Sequence, residues 1–187
     1  MVELSGFNGL LLSNIAAIFV AVVMARAAVH KLQDPSFEGT LADYQLLPER
    51  LVPRAVPLLA GAEVVAALGL CVLATRPFAA ALAAALLVIY AGAMAINLLR
   101  GRREIDCGCG GPGDVISWAL VARNAALLVI LLLALIGVPA DSIDMALGVA
   151  GILVTAVSVA LLFLALVLFE SVATRSAAIA LRLPARR

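Results

Sequence analysis

Five long apolar runs, separated by short polar, proline-marked or glycine-marked segments, divide the chain at about residues 8–29, 56–75, 78–99, 115–137 and 145–169. Each reaches roughly the 20 residues that a helix needs to cross the hydrocarbon of a bilayer. A spanning segment must satisfy its own backbone polar groups in lipid, so these runs predict α-helices. The expected fold is all-α: a polytopic membrane helix bundle of about five transmembrane helices, one membrane domain over residues 1–187 with a basic tail over 170–187. Near the end of the first run, Ala25-Arg26-Ala27 fits a small-residue cleavage pattern after an apolar stretch. With Glu3 in place of a basic start and an apolar stretch longer than a signal core, the run is read as a span.

The polar intervals add to this picture. Residues 30–57 form the longest of them, and Pro35, Pro48, Pro53 and Pro57 prevent one continuous helix there. Within it Phe37, Leu41, Tyr44 and Leu47 recur at helical spacing, as in a short amphipathic helix at the interface that roofs a site between spans. A solvated connector is the alternative. Arg76 and Pro77 alone separate spans two and three, which predicts a tight antiparallel hairpin. Gly61, Gly69 and the alanines from Ala79 to Ala85 are small enough for close backbone approach. Span four follows Gly110-Gly111-Pro112-Gly113, with Asp114 as the expected N-cap and Trp118 at the interface.

Composition agrees: hydrophobic residues make up 65% of the 187 and charged residues 13%, with a mean hydropathy of +1.15. An ordinary soluble domain is excluded, no nucleic-acid signature exists, and the lipid bilayer is the first partner. The net charge of +1 says little, but its placement says more. Alternating five spans puts Lys31, Arg50, Arg54, Arg100, Arg102, Arg103 and the tail arginines Arg175, Arg182, Arg186 and Arg187 on one side, and Arg76 alone on the other. The positive-inside rule then makes the first side cytoplasmic and the N-terminus external in a cell (inner) membrane.

The candidate chemistry lies on the arginine-rich side. Cys107-Gly108-Cys109 is the chain's closely spaced pair of thiols, and a bond across one intervening residue is strained and readily exchanged. Gly108 suits the backbone such a ring demands, and Gly110 and Gly111 leave room for an incoming protein. Thiolate is favoured near cations and at a helix N-terminus, so Arg102, Arg103 and the start of span four are supporting elements, partly offset by Asp106 and Asp114. The alternatives are ordinary reduced thiols, or a soft-metal site completed by His30, the lone histidine. Cys71, far along span two, is expected to pack as a small apolar side chain.

Charges inside the spans form a second pointer. Glu63 and Arg123 fall at matching depth, roughly 10 to 12 Å from the cysteine face at 1.5 Å per residue, and are expected to pair, with Arg26, Asn97 and Asn124 nearby. Such a cluster either tunes the thiols above it or fixes helix register. Tyr90 is read as a packed aromatic with one hydrogen bond in preference to a quinone contact. No cofactor site is legible, and a quinone is not excluded.

The chain resembles MauE, the methylamine utilisation membrane protein, and the wider DoxX-like group. The matching residues are His30-Lys31-Leu32 with Asp34-Pro35, Phe37, Asp43-Tyr44, Leu47-Pro48, Glu63, the stretch from Asn97 to Gly110 with its Asp106-Cys107-Gly108-Cys109-Gly110 core, and Arg123-Asn124. The resemblance implies a redox-active disulfide at Cys107 and Cys109. It also implies a role, with a thioredoxin-like partner, in forming the disulfides of a methylamine dehydrogenase subunit. That role wants outward-facing thiols, against the charge count. Three function classes follow from these observations: a thiol-disulfide redox component, a non-catalytic scaffold that recruits a redox or sulfur-handling enzyme through its basic face, and a small transporter built on Glu63 and Arg123.

Overall fold

The computed structural model describes residues 2–108, 115–135 and 149–182. Helix α1 (Val2–Gln33) leads to a short α2 (Phe37–Asp43). A single 3-10 turn (Glu49–Leu51) precedes α3 (Val52–Cys71), and α4 (Arg76–Leu99), α5 (Trp118–Leu133) and α6 (Val149–Arg182) follow. The protein is an all-α membrane helix bundle. Four stretches, Leu11–Gln33, Glu49–Cys71, Arg76–Leu99 and Gly151–Ala173, are long and apolar enough to cross a bilayer. The fourth expected span is a shorter apolar helix, Trp118–Leu132.

Each boundary that departs from expectation has a local cause. Helix α5 starts at Trp118, four residues after the expected cap Asp114, which lies outside the described residues. The β-branched Val115 and Ile116 run extended instead: Asp106 and Val115 form an antiparallel bridge, and the Ile116 amide donates to the Ile105 carbonyl at 2.9 Å. Pro57 lies inside α3, and Pro53 lies in that helix's first turn. A proline there replaces an amide that has no intrahelical partner in any case. The segment expected as a basic tail from residue 170 is helical through Arg182, a continuation of α6. At 1.5 Å per residue its 34 residues extend about 51 Å, past the roughly 30 Å of hydrocarbon.

Helix α1 packs most extensively on α3, and α3 and α4 form the expected hairpin. Small residues make it tight at one point: a β-carbon on Gly69 would lie 2.7 Å from that of Ala79. Gly61 meets nothing within 4 Å and contributes no such contact. The main core runs from Phe19, Val20 and Met24 of α1 through Leu70 of α3 and Leu87 of α4 to Leu127 and Leu131 of α5, with Val159 of α6 at its edge.

At the far end, the arginine counted as the sole charge of that face is buried. The Arg76 guanidinium donates to the Leu70 carbonyl at 3.2 Å, Ser13 Oγ at 3.3 Å and Asn14 Oδ1 at 3.0 Å. Ser13 in turn donates to the Ala134 carbonyl at 2.8 Å, so one network ties α1, α3, α4 and the end of α5. Cys71, at the end of α3, is exposed, contrary to the packed position expected of it.

Candidate functional site: a cavity beside Cys107

Helix α2 is a roof. Its entry is set by Asp34, whose carboxylate accepts the Ser36 hydroxyl at 2.6 Å and the Ser36 amide at 2.9 Å; these bonds hold the Asp34 carboxyl below its ordinary pKa. Phe37 then turns inward and is buried. Beneath the roof lies a cavity of about 420 Å³ whose walls include Phe37 and Leu41 of α2 and Tyr44 and Leu47 beyond its end at Asp43, where the expected helical spacing breaks off. The opposite walls come from Leu58 and Leu59 of α3 and Ala93 and Met94 of α4. Cys107 and Gly108 close one side, and Lys31 and Tyr90 supply polar atoms.

Cys107 is held by a chain of specific bonds. The Asp106 carboxylate accepts the Gly108 amide at 2.9 Å, a local turn that presents the intervening Cys107. Tyr44 Oη donates to the Cys107 carbonyl at 3.3 Å, and the Tyr44 carbonyl accepts Asn97 Nδ2 at 3.1 Å. Asn97, fully buried in α4, therefore anchors the roof and, through Tyr44, the thiol-bearing backbone. Gly108 adopts φ +65°. A β-carbon there would also lie 2.7 Å from Phe37 Cε2. Gly108→Ala is thus expected to combine roughly 1–2 kcal/mol of left-handed backbone strain with displacement of Phe37. The check is maleimide labelling of Cys107 in a Cys71→Ser, Cys109→Ser background: labelling should accelerate as the roof lifts, and an unchanged rate would refute the contact.

The charges assemble differently from the sequence expectation. Glu63 does not pair with Arg123. Its Oε1 accepts Lys31 Nζ at 2.8 Å and Tyr90 Oη at 2.7 Å, and its Oε2 is buried without a hydrogen-bond partner. Lys31, counted above as a loop charge, is only 6% exposed, and Glu63 is 0% exposed. The Lys31 ammonium also lies 5.2 Å from the Phe37 ring centroid and 4.9 Å from that of Tyr90. Arg123 instead meets Glu170 of α6, which also accepts Arg26 Nη1 at 2.7 Å. Glu63 lies eleven residues past the start of α3 and Arg123 five past the start of α5, and the two side chains lie on different helix neighbours. This separation removes the pair on which the transporter reading was built.

The remaining site candidates are placed as follows. Arg102 Nη1 donates to Asn97 Oδ1 at 3.2 Å, and Arg103 is exposed; neither lines the cavity, whose cation is Lys31. Asn124 is buried and donates to the Leu120 carbonyl of its own helix at 3.2 Å. His30 Nδ1 lies 3.8 Å from Asp34 Oδ2 and does not line the cavity. Cys109 and the glycines at 110, 111 and 113 lie outside the described residues. Lys31 and Glu170 escaped the sequence reading. The available signals were a lysine two residues past a long apolar run and a lone carboxylate at the end of another.

Comparison with known proteins bears on the same residues. The family model described as Methylamine utilisation protein MauE matches residues 10–138, which span the cavity and every residue that lines it. The chain belongs to the MauE family. Among curated relatives, the MauE protein of Paracoccus denitrificans is 40% identical over 129 residues, 66% of this chain and 68% of its own length. That of Methylophilus methylotrophus is 45% identical over 95 residues, half of each chain. That of Paracoccus versutus is 40% identical over 112 residues, 58% of this chain and 60% of its own length. No solved structure matches. The MauE match stops before α6, so Glu170 lies outside it.

Proposed function

We propose that this MauE-family protein is a membrane thiol-disulfide redox component of a methylamine-utilisation system, passing electrons through Cys107 and Cys109 to or from a thioredoxin-like partner during maturation of a client enzyme. The observation that carries this reading is the placement of Cys107: it is held by Asp106, Gly108 and Tyr44 at the wall of a preformed cavity, with a glycine at positive φ next to it. A solvated connector would need none of these constraints. In the exchange, one thiolate attacks a sulfur of the partner's disulfide, a mixed disulfide forms, and one partner sulfur leaves as thiolate. The second cysteine then attacks the mixed disulfide and releases the partner as a dithiol. Run in reverse, the same steps oxidise the partner.

The family match supports the system, and the cavity supports the use of the thiols. The exposed arginines Arg50, Arg54, Arg100 and Arg103 share the cavity face, whereas Arg76 is buried; this favours a cytoplasmic Cys107 loop with the N-terminus outside. Cys107→Ser with Cys109→Ser is expected to abolish growth on methylamine while leaving membrane abundance unchanged; growth at the wild-type rate would defeat the proposal. An impermeant thiol reagent applied to intact cells and to inverted vesicles, before and after reduction, reports the facing and the bonded state. Labelling from the inverted side only, and only after reduction, is the expected pattern.

A further inference from the structure

The roofed cavity is larger than contact with a thioredoxin-like protein requires. A partner disulfide approaches from water, whereas about 420 Å³ of space extends from Cys107 between α3 and α4 and is walled by Leu58, Leu59, Ile89, Ala93 and Met94. That volume falls in the usual range for small-molecule sites of roughly 300–1,000 Å³. Its walls select an apolar ligand delivered from the bilayer. Its polar groups are specific as well. Lys31 contributes an ammonium with three N–H donors, one of them engaged by Glu63, whereas the single O–H of Tyr90 is itself donated to Glu63. An acyl chain has no acceptor to offer the Lys31 ammonium. A lipophilic ring that bears carbonyl oxygens does, and a cavity with a cysteine in its wall suits a ring that accepts electrons.

We infer that this cavity binds a lipophilic para-quinone, which takes the electrons of the Cys107 and Cys109 dithiol. The inference rests on the thiol-disulfide reading above and extends it by naming the terminal acceptor. The balance is complete. Two S–H bonds break and one S–S bond forms, each sulfur giving up one electron and one proton. The quinone takes both electrons and both protons on its two oxygens and leaves as the hydroquinone. Lys31, on the cavity wall with its ammonium between the Phe37 and Tyr90 rings, would donate to a carbonyl oxygen of the bound ring and favour the charge that develops there.

The test uses the full chain in phosphatidylcholine nanodiscs and an azido-substituted short-chain ubiquinone as photolabel, with decylubiquinone and oleate as competitors. Peptide mapping is expected to find the label on the 58–59 and 93–94 segments, displaced by decylubiquinone and not by oleate. Ala93→Phe, which fills the cavity, should reduce labelling roughly tenfold, about 1.4 kcal/mol of binding. Ala55→Phe on the α3 wall serves the same purpose if the first variant melts early. Cys107→Ser with Cys109→Ser should retain the label and form no hydroquinone, whereas the reduced wild type forms it. Label elsewhere, labelling unaffected by both filling variants, or equal displacement by oleate overturns the inference. The two readings fail separately. If the reduced protein exchanges with a soluble aryl disulfide but forms no hydroquinone, the quinone site falls and the redox reading stands. If it reacts with neither oxidant, the redox reading falls and takes the acceptor with it.

Discussion

Lys31→Met is expected to destabilise the protein by about 3–5 kcal/mol, the usual cost of leaving one member of a buried ion pair behind. Glu63 is completely buried, and without the ammonium its donor among the described residues is the Tyr90 hydroxyl. A carboxylate in that position either stays charged in a poor solvent or takes up a proton. Both outcomes loosen the junction of α1 with α3, the most extensive packing in the bundle. The double substitution Lys31→Met, Glu63→Met should recover most of the loss, because two apolar side chains of similar length need no compensation. Unfolding in mixed micelles, measured as a double-mutant cycle, checks both statements. A single variant as stable as the wild type would mean that the pair contributes little. Recovery of stability without recovery of methylamine growth would show that the ammonium acts in the cavity as well as in the scaffold.

Glu170→Leu is the second large effect. The Glu170 carboxylate is shared by Arg26 of α1 and Arg123 of α5, and it is the polar tie that holds α6 against the bundle. The apolar packing of α6 is mainly on α1 and reaches the core edge at Val159, its packing on α5 is slight, and Leu153, Val157, Leu161, Leu164 and Leu168 are exposed on its surface. Removing the carboxylate leaves two guanidinium groups close together with their shared anion gone, at a cost of about 3–5 kcal/mol. The expected result is release of α6 with the remaining helices intact, read as faster proteolysis between α5 and α6 and little change in cavity labelling. Loss of the whole fold would show instead that α6 is integral to the bundle. Glu170→Gln, which keeps hydrogen bonding and removes the charge, should fall between the two.

Much of this architecture was legible. The apolar runs predicted where each long helix lies because lipid admits few alternatives to a helix of that length, although α1 begins at Val2 and α6 continues to Arg182, beyond the expected ends. The spacing of Phe37, Leu41, Tyr44 and Leu47 suggested a short interfacial helix against a solvated connector; all four line the cavity, although α2 itself ends at Asp43. Gly69 and Ala79 met as small residues in a hairpin should. The failures have a common origin. Glu63 and Arg123 were matched on depth counted from the expected span ends, which is one coordinate of three and which shifted when α3 began at Val52 and α5 at Trp118; the rotation of each helix and its place in the bundle sent them to Lys31 and Glu170. Lys31 was counted as an interfacial charge because its α-carbon lies near a helix end, yet its long side chain reaches inward to a carboxylate eleven residues into α3. Arg76 was counted on the opposite face and is consumed by a backbone acceptor of α3 and two side-chain acceptors of α1.

By itself the sequence determined that the chain is a membrane helix bundle, roughly where its helices run, and that a pair of thiols stands near one boundary. Those properties follow from hydropathy and chain-local spacing, which act within a single segment. Tertiary structure alone decided which charges neutralise one another, that Asn97 and Tyr44 hold the Cys107 backbone, and that a lysine and a tyrosine share a cavity wall with that thiol. Pairing depends on which helix faces which and at what rotation. No segment carries that information until the bundle has packed.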